Sequence, residues 1–580
     1  MAPDLRHHTP VAYGRIVTVR QPTPVDAIAD AYTARLAELD PLEATSMGIA
    51  GHDHQMTDLS PSGLAERADH DRATLAALAG AEPMDDIDRV TIAAMTDRLG
   101  LALELDEAGE TMASLNVIAS PVQGLRDVLD IMPTATTDDW ANIAARVSQV
   151  PWAVQGYIES LRTAAARGVV AAELQVAECI KQAAELADPT ASFFVTFLAS
   201  AEPDGAPASG PLANDLTMAG RKAAAAYGEL VAFLEDELGP QAPADDAVGR
   251  DRYALWSRAF VGASVDLDET YEWGLDELAR MAAEQDAIVA EIAGPGASIH
   301  DAVAKLEADP SRVLHGKPAL QEWMQATADE AIAALDGVHF DIPEAMRRIE
   351  CMIAPTENGG IYYTGPSDDF SRPGRMWWSV PPGVTEFSTW REKTTVYHEG
   401  VPGHHLQIAQ AVLNRDELNT WRRLASWSSG HGEGWALYAE RLMQEFGFMD
   451  DLGDRLGLVD GQRMRATRVV LDIGVHLRKQ APAQWGGGTW DAAKAWECFK
   501  ANVNMDEAFL RFELNRYLGW PGQAPSYKVG QRLWETYRAQ SQAAAHASGQ
   551  EFSLKDFHTR ALNLGSVPLS VLPLALGLDG

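Results

Sequence analysis

Cysteine is scarce: Cys179, Cys351 and Cys498 are the only three in 580 residues, far apart and in no C-x-x-C spacing. That excludes a disulfide framework and a thiolate zinc site, and it fits a reducing cytoplasm. Basic residues are also few, 47 against 83 acidic ones, which leaves a net charge of −36 and a pI near 4.7. Affinity for a phosphate backbone comes from Lys and Arg displacing condensed counterions, so nucleic acid and anionic membranes are not expected partners. Long apolar runs are missing as well. The opening M-A-P-D-L-R-H-H-T-P builds no signal-peptide core, and the apolar stretch from Val567 to Leu578 is broken by Pro568 and Pro573. No segment approaches the roughly 20 apolar residues that span a bilayer. The expectation is a soluble, unexported, cytoplasmic protein.

What is present is ordinary globular material, 46% hydrophobic and 22% charged, in a length that calls for two lobes or two to three domains. After a tail over 1–24, apolar residues recur at helical spacing, as in Ile28, Tyr32, Leu36 and Leu39. Further helices are expected at 84–105, 138–166, 171–187, 211–238 and 265–293, between breaks rich in Pro, Gly and Asp. These make a helical lobe over 25–335. From about Val338 the texture changes: R-R-I-E-C-M-I-A, G-G-I-Y-Y-T-G and R-M-W-W-S-V-P-P are short β-branched or aromatic runs and read as a small sheet. The pairs Tyr362-Tyr363 and Trp377-Trp378 in it read as core or cleft wall. Thr389 and Glu392 have capping-box spacing and open the helix that carries His398. Helical texture returns from 405, so 336–580 forms a second lobe. The fold class is mainly α, with a small sheet ahead of the helix that carries the chemistry.

That helix reads H-E-G-V-P-G-H-H from His398 to His405. A zinc hydrolase needs about three protein ligands, one open coordination position and a carboxylate able to take a proton from water there. The H-E-x-x-H motif supplies this from one helical face, but here Pro402 occupies the position of its second histidine. In a regular helix His405, seven residues along, returns to the face of His398, whereas His404 is turned away by roughly 120°. Proline disturbs that regularity, and a local bulge at Pro402-Gly403 would bring His404 round instead. A third ligand is sought on H-G-E-G-W-A-L-Y-A-E, which offers Glu433 and, two turns later, Glu440. Glycines around Glu433 let backbones approach closely. A lone His-Glu pair is usually a solvated face, yet three histidines and a glutamate within eight residues, in a chain with 15 histidines, point to a metal.

Together H-E-G-V-P-G-H-H-L-Q, E-G-W-A-L-Y-A-E and R-Y-L-G-W-P-G-Q-A-P-S-Y-K resemble the bacterial DUF885 proteins, over a stretch from about residue 25 to the C-terminus. The family is regarded as related to helical zinc metallopeptidases with a glutamate third ligand, which implies a mainly α architecture around a deep cleft. The resemblance implies zinc held by His398, His404 and Glu433, with Glu399 as general base and His405 in a supporting or substrate-facing place. R-V-V-L-D-I-G-V-H is similar to another family stretch, in which Arg468, Asp472 and His476 share one helical face. That face is either a surface salt-bridge ladder or one from which His476 meets a substrate or transition-state oxygen. Tyr527 or Lys528 is a candidate donor to an oxyanion. His431 matches no family position and is either a rival ligand or nothing.

The expected function is zinc-dependent hydrolysis of short peptides by activated water, with a small amide as the alternative substrate and a non-catalytic metal scaffold as the alternative class. An extended peptide adding to a strand edge within 350–380 is the expected mode of binding.

Overall fold

The computed structural model describes residues 20–354 and 360–578. Residues 1–19, most of the expected tail, lie outside the described residues, whereas Arg20 is already held by Asp26, Asp85 and Asp88 at 2.6–2.7 Å. The chain is mainly helical. Helices Asp86–Glu107, Glu173–Ala187 and Leu267–Ala293 match the periodicity closely. The segment at 138–166 is two helices, Thr137–Val147 and Val150–Ala166, because Pro151 cannot donate back into the first. Thr23, Asp85 and Thr136 cap their helices by accepting from the backbone N–H three residues on. No helix among the described residues is long and apolar enough to cross a membrane.

The hydrophobic cores do not divide at 335. One is confined to the first half and runs from Met56 to Leu238. A second joins Val25, Ala94 and Leu99 to Leu320, Met376, Trp435, Trp534 and Leu572, so the N-terminal helices fold onto the half that carries the motif. A third is shared by Leu267–Ala293, here α1, and the helix of residues 452–476.

Strand β1 (Val313–His315) is followed by α2 (Lys317–Leu335), then by β2 (Ile349–Ile353), β3 (Ile361–Thr364), β4 (Gly374–Trp378) and β5 (Glu386–Ser388). The expected sheet is present in the order β2-β4-β3, with β2 parallel and β3 antiparallel to β4, and Tyr362 opposite Trp377. A separate ladder pairs β1 with β5, Leu314 opposite Phe387, which periodicity alone did not indicate. The outer edge of β2 is covered: Gln321 donates to the Cys351 carbonyl, and Gln325 bonds both Ile349 and Cys351. Among the described residues β3 pairs only with β4.

Six further helices build the site: α3 (Thr389–Glu399), α4 (His404–Leu413), α5 (Ser429–Glu445), α6 (Leu452–His476), α7 (Glu507–Gly519) and α8 (Gln523–Ala547). The expected capping box at Thr389 is absent, because β5 delivers Ser388 as the cap residue and Thr389 donates to the Arg312 carbonyl instead. Glycines let α5 and α8 touch backbone to backbone. A Cβ on Gly530 would stand 2.2 Å from the Gly430 carbonyl oxygen, and one on Gly434 would stand 2.4 Å from the Gly530 carbonyl carbon.

Candidate metal centre

Helix α3 stops at Glu399, and neither an ideal helix nor a bulge carries the chain onward. Pro402 has no N–H to donate and disfavours helical torsions at Val401. The chain turns through a cis Val401–Pro402 bond and restarts as α4 at His404. Two glycines make the turn possible: a Cβ on Gly403 would lie 1.9 Å from the His398 carbonyl oxygen, and one on Gly400 2.6 Å from that of Val396. Gly403 N–H donates to Tyr397, His405 N–H donates to Gly400, and the Trp435 indole donates to the Pro402 carbonyl at 2.8 Å.

This turn sends the two adjacent histidines opposite ways. The His404 ring stands perpendicular to that of His398 with centroids 4.9 Å apart. His405 faces the sheet, where Nε2–H donates to the Met346 carbonyl and Nδ1 accepts from the Tyr363 hydroxyl, each at 2.8 Å. Burial pulls its pKa down to about 4, so it is neutral with both nitrogens engaged and neither left for a metal. Gly374 keeps that space open, since a Cβ there would lie 1.9 Å from the Tyr363 oxygen.

Glu433, one turn into α5, points one oxygen at both rings: Oε2 is 3.2 Å from His398 Nε2 and 3.5 Å from His404 Nε2. A tetrahedron with metal–ligand bonds of about 2.0–2.2 Å has edges of roughly 3.3–3.6 Å, so this spacing suits a shared cation. Glu399 is a competing third ligand, because atoms of His398, Glu399 and His404 all lie within 4.8 Å of one another. The single Glu433 oxygen facing both ring nitrogens favours Glu433. Glu399 keeps Oε2 buried without a hydrogen-bond partner, as is Nδ1 of His404. Behind His398, Glu440 accepts from Nδ1–H at 2.8 Å and from the Thr394 hydroxyl at 2.8 Å, which turns Nε2 toward Glu433.

Two buried carboxylates, Glu399 and Glu440, and the partly buried Glu433 thus surround two imidazoles. Burial pushes the Glu433 carboxyl up, but His404 and His398 outweigh it and hold it well below the usual range. Burial pulls His398 down, while its bonds to Glu433 and Glu440 and the charge of Glu399 push it up to about 10. Burial raises Glu399. The cluster demands positive charge, which a proton or a divalent cation supplies. Two histidines, a carboxylate and orphaned donor atoms fit zinc.

The other predicted residues divide. Tyr527, in the first turn of α8, is half-buried, and its phenol is raised by burial and by the charge of Glu433. Lys528 points elsewhere, to Gln462, Gln531 and Glu277 at 2.5–3.0 Å, beside a cavity of about 510 Å³ between α1, α5 and α8 that the metal-cluster residues do not line. His476 is not brought to the cluster: its Nε2 meets the Tyr517 carbonyl at 3.0 Å and its ring packs on Tyr253. Arg468, Asp472 and His476 are all buried, so they form no surface ladder. His431 packs on Trp534 and bonds Gln407, outside the cluster.

Trp427 carried no sequence signal beyond being an aromatic ahead of H-G-E-G. Its half-exposed ring lies 6.5 Å from that of His404 and fills the space above Gly432, where a Cβ would meet it at 2.2 Å. Arg465 on α6, also unforeseen, acts by charge on Glu399 and Glu440.

A frame of packed helices holding a buried His-Glu cluster defines the class. The chain belongs to the DUF885 family, bacterial proteins of unknown function, whose pattern matches residues 41–576. Its fold is similar to that of a "putative lipoprotein" from Colwellia psychrerythraea, at a TM-score of 0.81 and 21% identity over 96% of this chain and 98% of that one. It is also similar to a "putative lipoprotein of unknown function" from Shewanella oneidensis, at 0.71 and 15% over 95% and 99%. No functionally curated protein matches the chain.

Proposed function

We propose that this protein is a zinc-dependent hydrolase of short peptides, built on a helical metallopeptidase frame with its active cleft between α3, α5, α6 and α8. The reading is carried by one observation: Nε2 of His398, Nε2 of His404 and Oε2 of Glu433 converge while the buried Glu399 carboxylate beside them keeps an unpaired oxygen. Zinc held by those three residues would supply Lewis acidity at the scissile carbonyl. Glu399 takes a proton from the attacking water at Oε2 and returns it to the leaving amine. Its raised affinity for protons suits that shuttle. Glu440 keeps the His398 ring turned to the centre, and the Tyr527 phenol is the donor to the developing oxyanion. The edge of β3 away from β4, which has no partner strand among the described residues, takes the peptide as an added strand, and Trp427 covers the side chain beside the scissile bond.

Metal analysis of the purified chain combined with cleavage of a peptide library tests this. Wild type and Glu399→Gln should each hold one zinc, with turnover about 10²- to 10⁴-fold lower in the variant. Zinc in both proteins with cleavage by neither would sink the enzyme reading in favour of a metal scaffold, and cleavage of simple amides alone would move the substrate class.

A further inference from the structure

Helix α6 lies along the cluster. Its start is pinned to α3, with Lys393 on Asp454 at 2.7 Å and Gly457 so close that a Cβ would stand 2.2 Å from the Trp390 carbonyl oxygen. One turn on, the Gln462 amide reaches the Leu437 carbonyl of α5 at 3.4 Å. Gly461, Arg465 and Arg468 then follow at i, i+4 and i+7, on one face of the helix.

Both arginines carry unused donors. Among the described residues Arg465 has no carboxylate at ion-pairing distance; it reaches only the Gly461 carbonyl at 3.4 Å and the Met464 sulfur at 4.0 Å, and its Nε is buried without a partner. Arg468 is 4% exposed, donates through Nε to the Tyr517 hydroxyl and through Nη2 to Glu513, and leaves Nη1 buried and unpaired. Its guanidinium stacks 4.8 Å above the Tyr527 ring. The same helix reaches α5 at Leu437 and Tyr527 through Arg468, and from it the Arg465 charge acts on Glu399 and Glu440. Among the described residues Arg465 has no carboxylate partner and Arg468 engages Glu513 through Nη2, which leaves the Nε of Arg465 and the Nη1 of Arg468 as N–H donors for an anion from outside the chain. The net charge of −36 sharpens the point, because an anionic substrate repelled by the molecule as a whole needs a local cation to hold it.

We propose that Arg465, with the free Nη1 of Arg468, binds a substrate carboxylate next to the scissile bond, so that this centre selects peptides presenting a carboxylate there. The inference rests on the hydrolase reading above. The carboxylate has two sources, a free C-terminus or an Asp or Glu side chain.

The test uses the full zinc-loaded chain and three sets of synthetic hexapeptides with a common core: free C-terminus, C-terminal amide without acidic residues, and C-terminal amide with one glutamate at each position in turn. Carboxylate-bearing peptides should be cleaved with kcat/KM about 10- to 100-fold above the neutral amides. Arg465→Gln should remove that advantage mainly through KM, and Arg465→Lys should restore part of it. Preference for the first set identifies a C-terminal carboxylate, and preference for the third a side chain. Equal cleavage of neutral and carboxylate peptides by wild type overturns the inference and leaves the hydrolase standing. So does an unchanged preference in Arg465→Gln at wild-type zinc content. Cleavage of nothing by wild type sinks the hydrolase reading and this inference with it. Should Arg465→Gln not fold, the wild-type comparison and Arg465→Lys still decide.

Discussion

At the scale of single residues, adjacent histidines have opposite fates because of what each ring nitrogen meets. His404→Ala should abolish zinc binding. His405→Ala should keep zinc in a metal titration but lower stability by about 2–4 kcal/mol, since it strands the Tyr363 hydroxyl and the Met346 carbonyl in the interior. Loss of zinc in His405→Ala with retention in His404→Ala would reverse the ligand assignment. Gly403→Ala tests the turn itself. Its Cβ would overlap the His398 carbonyl oxygen, so we expect a fall of about 3 kcal/mol in urea unfolding together with weaker zinc binding. The pairing of His398 with Glu399 was legible from the sequence because adjacency on a helix end needs nothing else. The choice of His404 could not be read from spacing, since helical geometry favours His405 and only the break at Pro402 reverses it.

At the scale of elements, α5 brings two carboxylates to one histidine. Glu433 meets the ring nitrogen facing the centre and Glu440, two turns on, meets the nitrogen behind it. Glu440→Gln should weaken zinc binding about 10- to 100-fold in competition with a chelator while leaving the three ligands in place. Undiminished affinity would reduce Glu440 to a buried packing group. The glycines of α5 were readable as a sign of close approach, but their partners in α8 were not, because Gly530 lies almost a hundred residues away and pattern along one helix says nothing of its neighbour. Likewise the three strands of the sheet were legible from aromatic and β-branched runs. The pairing of β1 with β5 was not, being set by a contact across the whole of α2 and the sheet.

For the molecule as a whole, several histidines are buried neutral. Burial pulls His476 down to about 4 and His558 down to about 3. The unfolded chain protonates near 6.5 and so binds more protons below that pH, which means that stability present above pH 6.5 is lost as pH falls toward 4. Asp472 acts in the opposite sense: burial raises it to about 7, so its contribution is greatest at low pH and is lost as pH rises from about 4 to 7. A difference measurement isolates one term. His558→Gln, which can still bond the Tyr438 hydroxyl, should show a smaller drop in Tm between pH 6.5 and 4 than wild type. An equal drop in both proteins would mean that His558 does not stay neutral in the fold.

The sequence by itself determined the mainly helical character, the small sheet, the family and the short list of residues from which a metal site could be drawn, because each depends on local periodicity or on residues adjacent in the chain. Which histidine turns inward, which glutamate faces it and which stands behind it, and the unpaired N–H groups of Arg465 and Arg468 were decided only in three dimensions. Those outcomes depend on a helix broken at proline and on helices from distant parts of the chain packing at glycine contacts, and neither is encoded in spacing along a single segment.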